Sequence, residues 1–182
     1  MPDFTNYFAF YELPEAFLLD ETALKRRYYQ LSRELHPDFH AQSTPAEQAE
    51  ALRLSTLNTN AYRTLADPDH RMAYLLGLHG LLEEGSPQNQ LPPDFLMDVM
   101  ELNEQLMELE LAPDPAVVEQ VNQEVTALSD TLDAGIAPVL AGYPQLPPDH
   151  RPAALAQVRT YYLKKRYLLR LRQQVTTFAA RS

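Results

Sequence analysis

Two histidines and an aspartate lie close together in the sequence, at His36, Asp38 and His40. Imidazole and carboxylate groups can bind transition metals and can act as general acids or bases. Pro37 disfavours the helix that would bring His36 and His40 onto one face. The chain has no Cys, which excludes disulfides, a thiol nucleophile and ligation of a metal cluster by thiolate. The sequence also has no glycine-rich phosphate loop and no nucleophile elbow. From these observations together we predict no metal site, no cofactor and no enzyme.

A helical hairpin is predicted around His36-Pro37-Asp38, which we call the tripeptide. Four residues recur upstream at the spacing of one helix face: Leu24, Tyr28, Leu31 and Leu35. Pro37 should end this helix at Leu35 or His36. Thr44 to Glu47 has the pattern of a new helix start, with a Thr N-cap, a Pro at the first position and a Glu that closes a capping box. A short loop between two helices makes them antiparallel, so we expect the tripeptide at the exposed tip.

This arrangement resembles the J domain, whose helical hairpin carries His-Pro-Asp in its loop and activates ATP hydrolysis by DnaK-type chaperones. Further residues match that family in order: Leu57-Asn58, Ala61-Tyr62, Leu65, Asp67-Pro68, Arg71 and Tyr74. The segment from Tyr74 to Gly80 resembles one branch, the HscB co-chaperones of iron–sulfur cluster assembly. The resemblance implies that the tripeptide contacts a DnaK-type, HscA-like chaperone and that the chain delivers an IscU-like scaffold protein to it. Phe39 departs from the family, which often has Lys after the tripeptide.

The helix before the tripeptide carries a positively charged face. With its apolar residues turned inward, Arg26 and Arg33 lie nearly opposite them, and Lys25 and Tyr29 lie beside these two. Such a face is usually only a solvated surface. Because the tripeptide adjoins it, we favour the role that the resemblance implies, in which Lys25, Arg26, Tyr29 and Arg33 bind the chaperone.

A second surface is predicted on the helix that follows Asp94, its expected N-cap. Its inward residues are Phe95, Val99, Leu102, Leu106 and Leu109. The adjoining flank, which includes Met107, mixes apolar side chains with carboxylates, and it could be buried in a bundle or could bind a partner. The HscB resemblance favours binding, because the scaffold-binding surface of that family lies on this helix. The implied residues are Leu96, Met97, Met100, Glu101, Glu104 and Glu108, with Tyr167 on the last helix.

The other helices are predicted from caps and apolar periodicity. They are a short helix over 6–11, a helix over 45–66, a short one from Asp67-Pro68 that Gly80 ends, one from Asp114-Pro115 to Gly135, and one from 149–152 to about Ala180. We expect residues 135–148, with two glycines and four prolines, to be irregular. For Arg71 we expect a structural role.

Charge is distributed unevenly along the 182 residues, whose net charge is −10. From Leu81 to Asp149 there are fourteen Asp and Glu and no Lys or Arg, whereas from His150 to Ser182 there are eight Lys and Arg and no acid. We expect the two blocks to pair within the fold. The alternative is that the basic block binds nucleic acid. No basic, apolar leader or long apolar run is present, so a cytoplasmic protein is expected.

The predicted fold is all-α, with a J domain over 1–80, a linker over 81–93 and a three-helix scaffold-binding domain over 94–182. The expected function is that of a co-chaperone. The alternatives are a J protein for a different client, a nucleic-acid-binding helical protein, and a helical adaptor with a vestigial J domain.

Overall fold

The structure, a computed structural model, describes residues 4–40, 42–83, 90–112 and 114–179. Within these ranges every regular element is a helix, which confirms the all-α prediction. The chain forms two compact units. The first comprises Met1–Gly80 and Tyr143–Gln145, and the second comprises Leu81–Gly142 and Leu146–Ser182. Within the predicted linker, residues 84–89 lie outside the described residues.

The first unit is built around a helical hairpin. Its elements are α1 (Tyr7–Phe10), α2 (Glu21–Glu34), a 3-10 turn (Pro37–His40), α3 (Pro45–Ala66) and α4 (Pro68–Leu78). Each helix of this unit begins at an N-cap whose side chain accepts a backbone N–H bond: Asn6, Asp20, Thr44 and Asp67. The helix starts predicted at Thr44 and Asp67 are therefore confirmed. After α4, Gly80 has φ 68°, a left-handed conformation that favours glycine and ends the helix as expected.

Asn58 joins the two helices of the hairpin from inside the core, where it is 1% exposed. Its side-chain oxygen accepts a hydrogen bond from the Tyr11 hydroxyl at 2.7 Å, and its amide nitrogen donates to the Tyr28 carbonyl at 3.2 Å and to Ser32 Oγ at 3.0 Å. Burial of Tyr11, with Tyr28 and Tyr62 nearby, raises the pKa of its hydroxyl, which therefore stays protonated and donates. This buried network fixes α2 against α3.

Arg71 has the structural role predicted for it. The residue is 2% exposed, and its Nε donates to the Phe17 carbonyl at 2.8 Å. The guanidinium also donates to the Leu65 carbonyl, at the end of α3. Burial lowers the pKa of Arg71, with partial compensation from the charges of Glu21 and Asp67. Arg71 thus ties the segment before α2 to the end of α3.

The second unit packs its helices around one apolar core. They are α5 (Pro93–Asp98), α6 (Met100–Leu111), α7 (Pro115–Gly142) and α8 (Arg151–Ala179). Buried side chains of all four form the core: Phe95, Val99, Leu102, Leu106, Leu109, Val118, Val121, Val125, Leu168, Leu171, Val175 and Phe178. The inward residues predicted for the first of these helices are therefore all buried. At the end of α7, the 3-10 turn Tyr143–Gln145 belongs to the first unit.

The start of this unit differs from the prediction in two ways. The helix begins at Pro93 after an extended Pro92 that provides no side-chain cap, so the predicted cap at Asp94 is wrong. Pro93 sets the first helical φ, and Asp94 lies in the first turn, where its charge suits the helix dipole. The predicted continuous helix is also broken, at Val99. The Val99 carbonyl accepts both the backbone N–H of Asn103 at 3.1 Å and its side-chain amide at 2.6 Å.

Helix α7 is longer than predicted. It continues past Gly135 to Gly142 and contains Pro138, so the expected irregular structure is wrong over residues 135–142. Pro138 has no N–H and removes one bond of the helix ladder. The continuation buries Ile136, whose apolar contact offsets part of that loss.

Candidate functional site

The tripeptide lies at the exposed tip of the hairpin. The imidazole of His36 is 54% exposed, and its Nδ1 accepts the backbone N–H of Asp38 at 3.2 Å. The Asp38 carboxylate is 86% exposed and lies 3.6 Å from the same nitrogen. Pro37 begins the 3-10 turn and is also exposed. The two polar side chains are therefore oriented by each other and remain open to a partner.

The loop is fixed from both sides. On the upstream side, His40 Nε2 lies at hydrogen-bonding distance, 3.0 Å, from the Glu34 carbonyl oxygen at the end of α2. On the downstream side, the backbone N–H and hydroxyl of Thr44 both donate to Glu47 at 2.8 Å, and Thr44 Oγ1 accepts the Glu47 N–H at 3.4 Å. The bonds from Thr44 hold the pKa of the Glu47 carboxyl below its usual range. These contacts restrain the turn that carries the tripeptide.

The basic face of α2, defined as Lys25, Arg26, Tyr29 and Arg33, is exposed along the same side of the hairpin. None of its three cations forms an ion pair with a described residue, whereas Arg27 on the neighbouring side lies 3.5 Å from Glu12.

An open groove connects this face with the tripeptide. It is lined by Tyr29, Ser32, Arg33, His36, Asp38 and Phe39. The ring of Phe39 is 75% exposed and meets the His36 ring edge-on at 6.4 Å. The position at which the sequence departs from the J pattern therefore contributes a large apolar surface to the groove.

The acidic–apolar face of α5 and α6 comprises Leu96, Met97, Met100, Glu101, Glu104 and Glu108. All six side chains are exposed, with Met97 at 72% and Met100 at 60%. The three carboxylates form no ion pair with a described residue. The neighbouring core residues Phe95 and Leu102 are each 2% exposed, so the face is separate from the core.

Tyr167 lies at the border of this face. Its hydroxyl donates to the Asn103 side-chain oxygen at 2.9 Å, and its ring meets Phe95 edge-on at 5.9 Å. The guanidinium of Arg170 lies 5.4 Å above the Tyr167 ring. The residue is half-buried, and it connects α8 to α6 while one side of it stays accessible.

The basic residues of α8 mostly contact aromatic rings. The cation–ring pairs are Lys164 with Phe95, Lys165 with Tyr161, Arg166 with Tyr162, and Arg170 with Tyr167. Lys164 also pairs with Asp94 at 3.9 Å, which is one contact between the acidic and the basic block. These side chains thus have partners inside the unit.

Neither a candidate metal-binding cluster nor a candidate membrane-spanning helix occurs in the part of the chain that the structure describes. Its His, Asp and Glu residues form no group of three or more that could hold a metal ion. None of its helices combines the length and apolarity needed to cross a bilayer.

Two features were missed from sequence. The partners of Asn58 come from segments distant in the chain, so its network left no local signal. Leu111 is 89% exposed at the end of α6 and was not assigned to any surface, although its spacing of four from Met107 indicates a shared helix face.

Comparison with known proteins supports a relationship over nearly the whole chain. Residues 91–176 match the family model described as the HSCB C-terminal oligomerisation domain. The crystal structure of human co-chaperone protein HscB is 30% identical, with a TM-score of 0.66, and the match covers 97% of this chain and 83% of the human one. Chaperone HscB from Vibrio cholerae is 29% identical, with a TM-score of 0.62 and coverage of 97% and 99%.

Proposed function

The chain belongs to the HscB family of J-domain co-chaperones of iron–sulfur cluster assembly, and from that premise we propose that it couples a DnaK-type, HscA-like chaperone to an IscU-like scaffold protein. In this proposal residues 1–80 bind the chaperone, residues 94–182 bind the scaffold protein, and residues 81–93 link them. We call the first interaction the chaperone arm and the second the scaffold arm. ATP is hydrolysed by the chaperone, and this chain supplies no catalytic group or cofactor.

The observation that carries the chaperone arm is the exposed, restrained tripeptide. A side chain that stimulates another protein must be accessible and must be held in one orientation. His36 and Asp38 meet both requirements, because they are exposed and because the turn is held by His40 and by the Thr44 cap. Lys25, Arg26 and Arg33, with no ion-pair partner among the described residues, add long-range attraction for an acidic surface.

The scaffold arm rests on the acidic–apolar face. Three exposed apolar side chains give contact area, and methionines adapt to the shape of a partner. The three carboxylates beside them favour a partner with basic residues and orient it. Tyr167, at the border of the face, adds an aromatic contact of the kind that often dominates interface energy.

Joining both surfaces in one chain makes the meeting of scaffold and chaperone intramolecular. A linker raises the effective concentration of the second partner to roughly millimolar when it spans the sites. Co-binding then needs no additional contact between scaffold and chaperone. We propose no nucleic-acid partner, because four cations of α8 contact aromatic rings within the unit and one of them, Lys164, also pairs with Asp94.

The chaperone arm is tested with His36→Gln. The variant should keep the fold, since the imidazole is exposed, and should lose stimulation of a DnaK-type ATPase in steady-state hydrolysis. His70→Gln is the matched control, because that imidazole is 74% exposed in the same unit, away from the tripeptide. Stimulation by His36→Gln at the wild-type level would remove the central role of the tripeptide.

The scaffold arm is tested by changing Leu96, Met97 and Met100 to Ala together. Binding energy concentrates in a few apolar anchors, so affinity for the scaffold protein should fall by roughly 3 kcal/mol or more in calorimetry. Leu169→Ala, another exposed apolar change in the same unit, should leave it unaltered. The thermal midpoint of the triple variant should stay near that of the wild type. A large drop would show that these side chains stabilise the core instead.

A further inference from the structure

Exposed apolar side chains continue along α6 beyond the acidic–apolar face. Eleven large apolar side chains are exposed in the described part of the chain, and five of them lie on α5 and α6. Three belong to the acidic–apolar face. The other two are Met107, 68% exposed, and Leu111, 89% exposed. Single exposed apolar residues are ordinary, but a concentration of this kind marks an interaction surface.

These residues form one continuous stripe. At about 100° per residue, Met100, Met107 and Leu111 lie within about 40° of one another around α6. From the first to the last, the stripe runs roughly 16 Å at about 1.5 Å per residue. The three carboxylates of the acidic–apolar face follow one flank of it. On the other flank, Asn103 bonds Tyr167 of α8.

The charge around the stripe indicates what covers it. No Lys or Arg occurs from Leu81 to Asp149, and the three carboxylates have no ion-pair partner among the described residues. A second copy of this chain bound through the same stripe would add more carboxylates and no cation from this segment. A partner that carries Lys or Arg beside an apolar ridge satisfies both the apolar and the acidic part of the surface.

We infer that the scaffold protein covers the whole length of α6, with Met107 and Leu111 as further anchors, and that it presents an elongated apolar ridge bordered by basic side chains. This inference rests on the proposed function, since it adds two apolar anchors to the scaffold arm and takes that arm to the end of α6. From Met100 onward the contact then follows the single helix α6, so Glu101, Glu104 and Glu108 face one row of cations on the scaffold protein.

The test is the affinity of the full chain for purified IscU-type scaffold protein, measured by isothermal titration calorimetry. Met107→Ala with Leu111→Ala should raise Kd about tenfold or more. The conservative pair Met107→Leu with Leu111→Met keeps the apolar area and should bind like the wild type. Leu52→Ala with Leu169→Ala removes exposed apolar area elsewhere and should also leave Kd unchanged. Glu108→Gln should reduce the dependence of Kd on salt.

Each other outcome overturns the inference in a recognisable way. If Met107→Ala with Leu111→Ala binds like the wild type while the triple Leu96, Met97 and Met100 variant is weakened, the apolar anchors end at Met100 and the proposed function stands. If the wild-type chain itself does not bind the scaffold protein, the proposed function fails as well. If light scattering shows a wild-type dimer that the double variant turns into a monomer, the stripe is covered by a second copy.

Discussion

Removal of the Asn58 side chain should loosen the hairpin that carries the tripeptide. Asn58→Ala deletes the hydrogen bond from the Tyr11 hydroxyl and the two bonds that Asn58 donates to α2, at the Tyr28 carbonyl and at Ser32 Oγ. Ser32 is one helical turn before His36. Asn58→Ala therefore weakens the contacts of the last turn of α2, directly before the tripeptide.

The size of the effect follows from what the deletion leaves behind. The Tyr11 hydroxyl keeps the Asn58 backbone carbonyl at 3.0 Å, and the Tyr28 carbonyl keeps the Ser32 hydroxyl at 2.8 Å, so neither is left without a partner. Three bonds at about 1 kcal/mol each, less roughly 0.5 kcal/mol for the better helix propensity of Ala, give a loss of about 2–3 kcal/mol. If α2 and α3 open together, their amide exchange should accelerate roughly 30- to 140-fold.

Hydrogen–deuterium exchange by mass spectrometry measures the loss of stability separately in the first and the second unit. Asn58→Ala should lower protection in α2 and α3, and peptides of α7 and α8 serve as the internal control. Tyr11→Phe removes the partner of one bond, so the double variant should cost about 1 kcal/mol less than the sum of the single changes. Unaltered protection in α2 and α3, or an equal loss in α7 and α8, would refute the claim that this network holds the hairpin.

Three further predictions concern Arg71, the cap at Asp67 and the basic face of α2. Arg71→Met should destabilise the first unit by about 3 kcal/mol, because the Phe17 and Leu65 carbonyls lose a buried cationic donor. The loss is measured as a fall in the urea midpoint of this unit. Arg63→Met, on an exposed part of α3, is the control. Asp67→Ala should cost about 1 kcal/mol at pH 7. The bond from the His70 N–H holds the pKa of the Asp67 carboxyl below its usual range, so the stability difference between wild type and Asp67→Ala should shrink as the pH falls through that lowered pKa. A difference that is constant with pH would contradict the cap. Arg26→Ala with Arg33→Ala should weaken chaperone binding in surface plasmon resonance mainly at low salt, and equal binding at low ionic strength would leave the basic face as a solvated surface.

Local features of the fold were predictable because their causes lie within a few residues. The helix starts at Thr44 and Asp67 were found from sequence, since each side chain bonds a backbone N–H three residues on. Apolar periodicity likewise separated buried Phe95 from exposed Met97.

The errors have causes outside the local sequence. The break at Val99 is accompanied by a bond from the Asn103 side chain, and periodicity cannot distinguish a broken helix from a continuous one. The helix end predicted at Gly135 did not occur, because the helix tolerates the bond lost at Pro138 when its continuation buries Ile136. The buried position of Asn58 depends on Tyr11, far away in sequence, and no window around Asn58 contains that information.

The central claim is that one chain must hold both partners, and complementation in trans tests it most directly. Steady-state ATP hydrolysis is measured with chaperone and scaffold protein present, using wild type, His36→Gln, the triple Leu96, Met97 and Met100 to Ala variant, and an equimolar mixture of the two defective proteins. The wild type should give stimulation beyond the client-independent level. The mixture should give no more than the triple variant alone, because no molecule in it has both surfaces intact. Full wild-type stimulation by the mixture would contradict the account.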